Sequence, residues 1–155
     1  GYIDRTGKIA INPQFWSVGD FSEGLAPVIL KYSGRWGYID RTGKIAIQPR
    51  FWNAGEFSEE LAPAIVKSGG KWGYIDKTGE AVIQPQFNRA GSFSEGLAPV
   101  ETEGGYGYID LTGKMTIFPQ FDRAWPFSEG LARVKMGGKY GYIDKTGKYV
   151  WNPTD

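Results

Sequence analysis

Two acidic residues are the strongest candidates for catalysis in this chain. Glu101 and Glu103 stand two residues apart, so a strand would place both carboxylates on one face, near Tyr106 and Tyr108. Paired carboxylates perform acid–base chemistry in glycoside hydrolysis. Nothing in the neighbouring sequence indicates the burial that shifts a carboxyl pKa. We therefore interpret the pair as solvated residues beside a Gly-Gly turn.

The other residue types exclude most enzyme chemistry. The 155 residues include no His and no Cys, which removes imidazole bases, thiolate nucleophiles, disulfides and the commonest metal ligands. The glycines at 104–105 and 137–138 lack the helix and the Lys-Ser/Thr ending of a phosphate-binding loop. No Ser-Lys signature is present either. The sequence predicts a protein that is not an enzyme and has no metal or cofactor.

The composition limits the fold classes and the classes of partner that are possible. With 18 Lys plus Arg against 17 Asp plus Glu, the net charge is +1, which gives no reason to expect nucleic acid or a membrane surface as a partner. The longest stretch without Gly or Pro is residues 56–62, too short for an ordinary helix, and no apolar run could span a bilayer. The sequence predicts an all-β fold of short strands and leaves the localisation open.

Short motifs recur along the whole chain. The tetrapeptide GYID begins five times, at spacings of 36, 36, 34 and 34 residues, and a Thr-Gly pair follows each copy. A Pro with a Phe two residues later, and then the triplet FSE, occur four times. The five GYID copies begin at Gly1, Gly37, Gly73, Gly107 and Gly141. We divide the chain into units of approximately residues 1–36, 37–72, 73–106 and 107–140, with a partial hairpin at 141–155.

This pattern resembles the WG-repeat family, also called KWG repeats, of bacterial proteins. The resemblance is carried by residues 35–40 (RWGYID) and 71–76 (KWGYID), each followed by a Thr-Gly turn. Later copies have Tyr106 and Tyr140 in place of the Trp. The resemblance covers essentially all 155 residues. It implies tandem β-units and a non-catalytic interaction role, and it does not imply a particular ligand.

Each unit is predicted to be a three-stranded antiparallel meander. In the second unit, Asp40 and Gly43 suit a type I turn closed by a Gly bulge, and Ser33-Gly34 forms a second turn just upstream. A single unit buries too little apolar surface to fold alone, so the units must stack. We expect an open, curved or superhelical array, because neither end of the chain offers a strand to latch onto the other. A closed, propeller-like ring is the alternative.

The hairpin register predicts one aliphatic face per unit. If Asp40 faces Lys44, then Ile39 faces Ile45 and Gly37 faces Ile47, with Val28 opposite Ile39. The predicted core face contains Val28, Leu30, Ile39, Ile45 and Ile47. The opposite face contains an amphipathic mixture that includes Trp36 and Tyr38. A Gly inside a strand, such as Gly37, predicts a bulky neighbour in close approach, either Leu30 or Ile47.

The segment at residues 51–61 lacks alternation and is predicted to be a crossover loop. Ser22, Ser58, Ser94 and Ser128 are expected to close a small turn through their side chains. Glu60 stands where the other units have Gly, so a positive φ is not expected to be obligatory there. Tyr149 and Trp151 are expected to cap the last sheet.

Residues that break the repeat are the best candidates for binding. Trp16 and Trp52 recur 36 residues apart, whereas the later units have Asn88-Arg89 and Asp122-Arg123 at that place. Stacking would align these positions into a stripe, and Trp and Arg are types that anchor interfaces. The alternative interpretation is that both Trp side chains fill space between units. The candidate binding residues are Trp16, Trp52, Arg89, Arg123 and Trp125.

These features favour a non-enzymatic scaffold that binds a protein or peptide. Binding of carbohydrate or cell-envelope material through exposed Trp and Tyr is the second class, because aromatic rings stack on sugars. A hydrolase using Glu101 and Glu103 is the least favoured class. Exposed sheet edges at the ends of the array raise the further hypothesis of end-to-end self-association.

Overall fold

The computed structural model describes residues 1–154, the last three as backbone. They form strands and no helix, and thus no helix that could cross a membrane. The strands are β1 Tyr2–Ile3, β2 Ile9–Ile11, β3 Phe15–Val18, β4 Leu25–Leu30, β5 Trp36–Asp40, β6 Ile45–Phe51, β7 Asn53–Ala54, β8 Ala62–Ile65, β9 Trp72–Ile75, β10 Ala81–Phe87, β11 Arg89–Ala90, β12 Leu97–Thr102, β13 Gly105–Asp110, β14 Met115–Phe121, β15 Arg123–Ala124, β16 Leu131–Met136, β17 Lys139–Asp144 and β18 Tyr149–Thr154.

Four antiparallel sheets of four strands follow one two-stranded sheet along the chain. β1 pairs with β2, and the others are the meanders β3-β4-β5-β6, β7-β8-β9-β10, β11-β12-β13-β14 and β15-β16-β17-β18. An all-β tandem of antiparallel meanders is therefore confirmed. The prediction of three strands per unit was wrong, because each complete sheet has a further short strand at its first edge.

The missed strand lies within the segment predicted to be a crossover loop. Phe51 ends β6 opposite Trp36, and Asn53 already begins β7 opposite Ile65. Trp52 is thus the one residue between two sheets. A strand of two residues is too short to show alternation, which is why the pattern at residues 51–61 did not predict it.

The Asp-x-Thr-Gly turn has the predicted geometry. Gly43 has a φ of +84°, and its amide donates to the Asp40 carbonyl at 2.9 Å. The Asp40 carboxylate accepts hydrogen bonds from the Thr42 hydroxyl at 2.6 Å and the Thr42 amide at 2.8 Å. The hydroxyl bond is the main cause of the lowered pKa of Asp40. The repeated Asp is a turn residue, as the sequence indicated.

Part of the predicted register was wrong. Ile39 does face Ile45, but Ile47 pairs with Tyr38 rather than with Gly37. A bulge between the Tyr38 and Ile39 pairs causes this shift. On the other side, the β4–β5 turn is centred between Tyr32 and Ser33, one residue earlier than the predicted Ser33-Gly34 turn, so Val28 lies opposite Gly37 instead of Ile39.

The bulge divides the aliphatic residues between the two faces of the sheet. Ile39 packs towards the preceding sheet, in a cluster with Ile11. Ile47 packs towards the following sheet, in a cluster with Tyr38 and Ile75. All five side chains are buried. The expectation of one core face and one amphipathic face was therefore wrong, since both faces of an internal sheet are core.

Gly37 lies at the closest approach of two backbones. A Cβ at this position would be 2.6 Å from the Ile47 carbonyl oxygen and 2.8 Å from the Pro49 nitrogen. The prediction of a close neighbour is confirmed. The neighbour is the backbone of the bulged strand, and not the side chain of Leu30 or Ile47.

The FSE segments form tight two-residue hairpins. Ser22 and Leu25 exchange backbone hydrogen bonds of 2.9 and 3.0 Å, while Glu23 and Gly24 have φ of +50° and +87°. Two consecutive positive φ values are typical of a type I′ turn. Glu60, which corresponds to Gly24, has a φ of +70°. The expectation that this position does not require a positive φ was wrong.

Candidate functional site

The repeated Tyr residues join each sheet to the next. The Tyr38 hydroxyl donates to the Gly55 carbonyl at 2.7 Å, and the Tyr74 hydroxyl to the Gly91 carbonyl at 2.8 Å. Tyr108 donates in the same way to the Trp125 carbonyl at 2.8 Å. Burial raises the pKa of all three phenols. These hydroxyls are structural, because each is buried and already hydrogen-bonded.

The repeated Ser residues also bond across units. The Ser22 hydroxyl donates to the Phe57 carbonyl at 2.6 Å, and the Ser58 hydroxyl to the Phe93 carbonyl at 2.7 Å. Ser94 repeats this bond to Phe127 at 2.7 Å. The prediction that these side chains close their own turn was wrong, since backbone bonds close the turn and the hydroxyls reach the next unit.

Glu side chains of the same hairpins form a parallel series of bonds. The Glu59 carboxylate accepts from the Gly96 amide at 2.9 Å, and the Glu95 carboxylate accepts from the Gly130 amide at 3.1 Å. Lys145 also contacts Glu95 at 3.0 Å. The Lys145 bond, followed by the Gly130 amide, lowers the pKa of Glu95. The polar groups that repeat at this end of the sheets are therefore engaged in holding the stack together.

The opposite end of the sheets, which we call the hairpin end, carries the residues that vary. It contains the β4–β5, β8–β9, β12–β13 and β16–β17 turns together with the residues that join successive sheets. Trp52 stacks under the Arg35 guanidinium, whose central carbon is 3.2 Å from the ring centroid. At the corresponding place in the next unit, the Lys71 ammonium donates to the Asn88 side-chain oxygen at 2.7 Å. The partner pair at this position thus differs between these two units.

Trp16 and Tyr32 form an aromatic groove at the hairpin end. A β-bulge in β3 falls at Trp16, whose side chain is 77% exposed. Tyr32 is 91% exposed. The groove beside them has a volume of about 960 Å³, and its lining includes Phe15 and Leu30. Both side chains are more exposed than the other aromatic residues of the first unit.

The two carboxylates proposed for catalysis have different surroundings. Glu101 lies in β12 and accepts the Arg89 side chain at 3.3 Å. Glu103 lies in the following turn and is exposed. Within residues 1–154, no group of three acidic residues is arranged to hold a metal ion.

The five predicted binding residues occupy similar places in successive sheets and do not form one pocket. Trp16 lies in β3, Trp52 joins β6 to β7, and Arg89 begins β11. Arg123 begins β15, and Trp125 follows that strand. Of the five, Arg123 and Trp125 belong to a second surface that the sequence reading recognised only in part.

This second surface, the terminal face, is the side of the β15–β18 sheet that points away from the preceding sheet. Residues paired directly across strands share a face, and the pairing gives two rows. The rows are Arg123–Lys135–Tyr140 and Arg133–Tyr142–Trp151. Tyr140, Tyr142 and Trp151 are 44%, 38% and 49% exposed. Trp151 packs on Tyr142 with a centroid separation of 6.0 Å, whereas Tyr149 packs into the core cluster below.

Trp125 and Arg133 are a matched replacement at the edge of this face. In the first three units, a Gly packs against a Pro ring: Gly19 on Pro27, Gly55 on Pro63 and Gly91 on Pro99. A Cβ on Gly91 would be 2.7 Å from the Pro99 ring. The fourth unit has Trp125 and Arg133 instead, and the guanidinium lies 4.1 Å from the ring centroid of Trp125. Both members of the pair have changed together.

Arg123 and Trp125 could be identified from the sequence, whereas Arg133, Lys135 and Tyr140 were missed as members of the same surface. The available signal was the repeat itself, in which Arg133 and Lys135 replace the Pro99 and Glu101 of the preceding unit. Only the cross-strand pairing shows that these residues share one face.

Comparisons with known proteins agree with this architecture. The family model described as "WG containing repeat" matches residues 1–31, 36–72, 72–106 and 106–140. No curated protein gives a significant match.

Among solved structures, selenomethionine-substituted virginiamycin B lyase from Staphylococcus aureus is similar at 14% identity and a TM-score of 0.56, covering 99% of this chain and 61% of the lyase. A streptogramin B lyase structure is similar at 13% identity and a TM-score of 0.53, covering 96% of this chain and 57% of that one. The chain thus spans less than two thirds of the length of either lyase. At these identities the likeness concerns the fold alone.

Proposed function

Because the chain belongs to the family of WG-containing repeats, we propose that it is a non-enzymatic binding module whose tandem sheets present a recognition surface to a protein or peptide. The observation that carries the proposal is that the two ends of the sheets carry different kinds of residues. Repeated polar groups at one end bond between units, as Ser58 does with Phe93. Residues at the hairpin end differ from unit to unit and remain exposed.

The hairpin end has the composition of a recognition surface. Trp16, Tyr32 and Trp52 are exposed there, and Arg35 is stacked over Trp52. Trp, Tyr and Arg are enriched among residues that dominate binding energy, since they combine apolar area with directed hydrogen bonding. A rigid scaffold that holds such residues in fixed positions loses little entropy when a partner binds.

Catalysis has less support than binding. The two members of the acidic pair have different surroundings, because Glu101 is paired with Arg89 and Glu103 is exposed on a turn. The likeness to the two lyases extends to fold only, and a common fold supports many unrelated functions.

We favour an open array for the finer arrangement of the sheets. The two-stranded sheet β1–β2 lacks the first two strands of a complete unit, and β18 is already the fourth strand of its own sheet. Each complete sheet is a separate four-stranded meander, and no strand pairing between sheets is present within residues 1–154. Solution scattering should give a curved, elongated particle. A compact, ring-shaped scattering profile would favour the closed, propeller-like alternative.

Carbohydrate binding is the second candidate, and one observation favours it. Trp16 and Tyr32 flank an open groove with an apolar lining, an arrangement on which a sugar ring could stack. A titration of Trp fluorescence with a glycan panel tests this candidate, and Trp16→Ala provides the control. A spectral shift that disappears in Trp16→Ala supports carbohydrate binding, and the absence of any shift across the panel removes it.

Selection from a displayed peptide library tests the main proposal. The wild-type chain should enrich a defined family of peptide sequences. A variant with Trp16→Ala, Tyr32→Ala and Trp52→Ala should lose those peptides. A control variant with Val82→Ala and Phe118→Ala, which removes exposed apolar side chains elsewhere, should retain them.

Two results would contradict the proposal. One is the absence of any enriched family on the wild-type chain. The other is equal enrichment on the triple variant, provided that its circular dichroism spectrum matches that of the wild type.

A further inference from the structure

We propose that the terminal face binds an extended acidic peptide segment, with the carboxylates of the peptide placed over Arg123, Lys135 and Arg133. This inference rests on the proposed binding function and names a partner class for one surface of the module. It draws on the residues of the fourth sheet that differ from the three sheets before it.

The first observation is a reversal of charge at one cross-strand pair. In the third unit Arg89 lies opposite Glu101, and the two side chains form an ion pair at 3.3 Å. At the same register in the fourth unit, Arg123 lies opposite Lys135. Like charges directly opposite each other destabilise a sheet. An anionic ligand between the two cations would remove that repulsion.

The second observation is the absence of internal carboxylate partners. Within residues 1–154, neither Arg123, Lys135 nor Arg133 forms an ion pair. Two carboxylates near these strands in the sequence accept backbone amides. Asp144 accepts the Thr146 amide at 2.9 Å, and Asp122 accepts the Gly138 amide at 3.3 Å. Among residues 1–151, whose side chains the structure describes, no carboxylate therefore lies within ion-pairing distance of these three cations.

The third observation is that aromatic rings fix the positions of the cations. The Arg133 guanidinium lies 4.1 Å from the Trp125 centroid and 5.3 Å from the Tyr140 centroid. The Lys135 ammonium lies 5.4 Å from the Tyr140 centroid. A stacked guanidinium keeps its N–H donors directed outwards in its plane, where they match the two oxygens of a carboxylate. Arg133 is thus preorganised for bidentate recognition.

The spacing of the two rows suits an extended peptide. Lys135 and Arg133 are alternate residues of β16, so their side chains leave the sheet about 7 Å apart. Alternate residues of an extended ligand have the same separation. A segment with Asp or Glu at every second position would place one carboxylate over each row. Tyr142 and Trp151, in the Arg133 row, offer apolar contact to the rest of the segment.

The observations favour an acidic peptide over nucleic acid. Affinity for nucleic acid depends on many phosphate contacts along an extended basic track. The chain has a net charge of +1, and these three cations occupy only two rows of a single sheet. A short anionic segment fits that area, whereas a polyanion extends beyond it onto surfaces with both signs of charge.

The test measures fluorescence anisotropy with labelled peptides of about ten residues that alternate Asp with Thr, a length that covers one sheet face. The control peptide has Asn in place of Asp. An oligothymidine of similar length tests the nucleic-acid alternative. The variant Lys135→Glu reproduces the residue of the third unit. The control variant Lys44→Glu makes the same change in charge at a distant turn, where the next unit has Glu80.

The wild-type chain should bind the Asp peptide, with an affinity that decreases as salt is added, and should not bind the Asn peptide. Lys135→Glu should weaken binding by about tenfold or more, equivalent to about 1.4 kcal/mol. Lys44→Glu should leave the affinity unchanged. The double variant Trp125→Gly with Arg133→Pro, which restores the Gly and Pro of the other units, should also lose binding. Since it reproduces a pair that three units already contain, it should fold.

Several outcomes would overturn the inference. These are equal binding of the Asp and Asn peptides, unchanged binding by Lys135→Glu, or binding of oligothymidine in preference to the Asp peptide. Absence of peptide binding would mean that the terminal face is only a charged cap on the stack. The library selection at the hairpin end would still stand in that case, so failure of this inference is distinguishable from failure of the proposed function.

Discussion

The Tyr38 hydroxyl donates a 2.7 Å hydrogen bond to the Gly55 carbonyl and so joins one sheet to the next. Replacing Tyr38 by Phe should lower the free energy of unfolding by about 1–3 kcal/mol, because it leaves a partly buried carbonyl without its donor. Urea denaturation followed by circular dichroism measures the change. Tyr142→Phe is the matched control. Tyr142 is 38% exposed, and its replacement should change stability by less than about 0.5 kcal/mol. Equal effects of the two substitutions would contradict a structural role for the Tyr38 bond.

Buried phenols predict loss of stability at alkaline pH. Burial raises the pKa of Tyr38, Tyr74 and Tyr108 above the ordinary value of 10.0. The unfolded chain therefore releases these protons at a lower pH than the folded chain does. The stabilisation is fully present below about pH 10 and decreases as the pH rises above it. Urea midpoints measured across this range should fall, and Tyr38→Phe should show a shallower decrease. Native-state tyrosinate absorbance that titrates fully near pH 10 would contradict the prediction.

Ser58 should contribute to the stability of the stack, whereas Ser128 should not. The Ser58 hydroxyl donates to the Phe93 carbonyl at 2.7 Å. No corresponding acceptor for Ser128 is found within residues 1–154. We expect Ser58→Ala to reduce the free energy of unfolding by about 1 kcal/mol and Ser128→Ala to have almost no effect. Denaturant titration of both variants checks the difference, and a larger loss in Ser128→Ala would contradict it.

Gly43 tests how closely successive units approach. Gly43 and Gly7 occupy the same turn position with φ of +84° and +82°. A Cβ on Gly43 would be 2.9 Å from the Ile11 side chain, whereas a Cβ on Gly7 has no atom within 4 Å. Both Ala variants should incur a backbone cost of roughly 1 kcal/mol. Gly43→Ala should lose about a further 1–3 kcal/mol, because the new methyl overpacks the interface. Equal melting temperatures for the two variants would contradict this account.

The repeat and its turns could be predicted from sequence, because Asp40 and Gly43 specify a local geometry that needs no distant partner. The division of Ile39 and Ile47 between two faces could not. It depends on a bulge where the backbone of Pro49 approaches Gly37, and a pattern with period two predicts the same face for both residues. The bonds of Ser58 were missed for a related reason, since their acceptor lies in the next unit.

The residues of the candidate surfaces also fall into those that the sequence could predict and those that it could not. Trp16 and Trp52 were recognisable because they interrupt the repeat in a single position. Arg133 and Lys135 also interrupt it, but their significance depends on the cross-strand register that places them beside Arg123. Sequence alone therefore identified individual residues of the terminal face without showing that they form one surface.

Trp52 is the only residue between β6 and β7, and this has a mechanical consequence. Neighbouring units share a nearly continuous run of extended backbone and have no linker that could absorb a rotation. A twist applied to one sheet must therefore be transmitted to the next as a change of register or of tilt. Inserting a single residue after Trp52 would change the position of the sheet that follows. The spacing of corresponding residues in these two sheets is consequently set by the covalent chain itself.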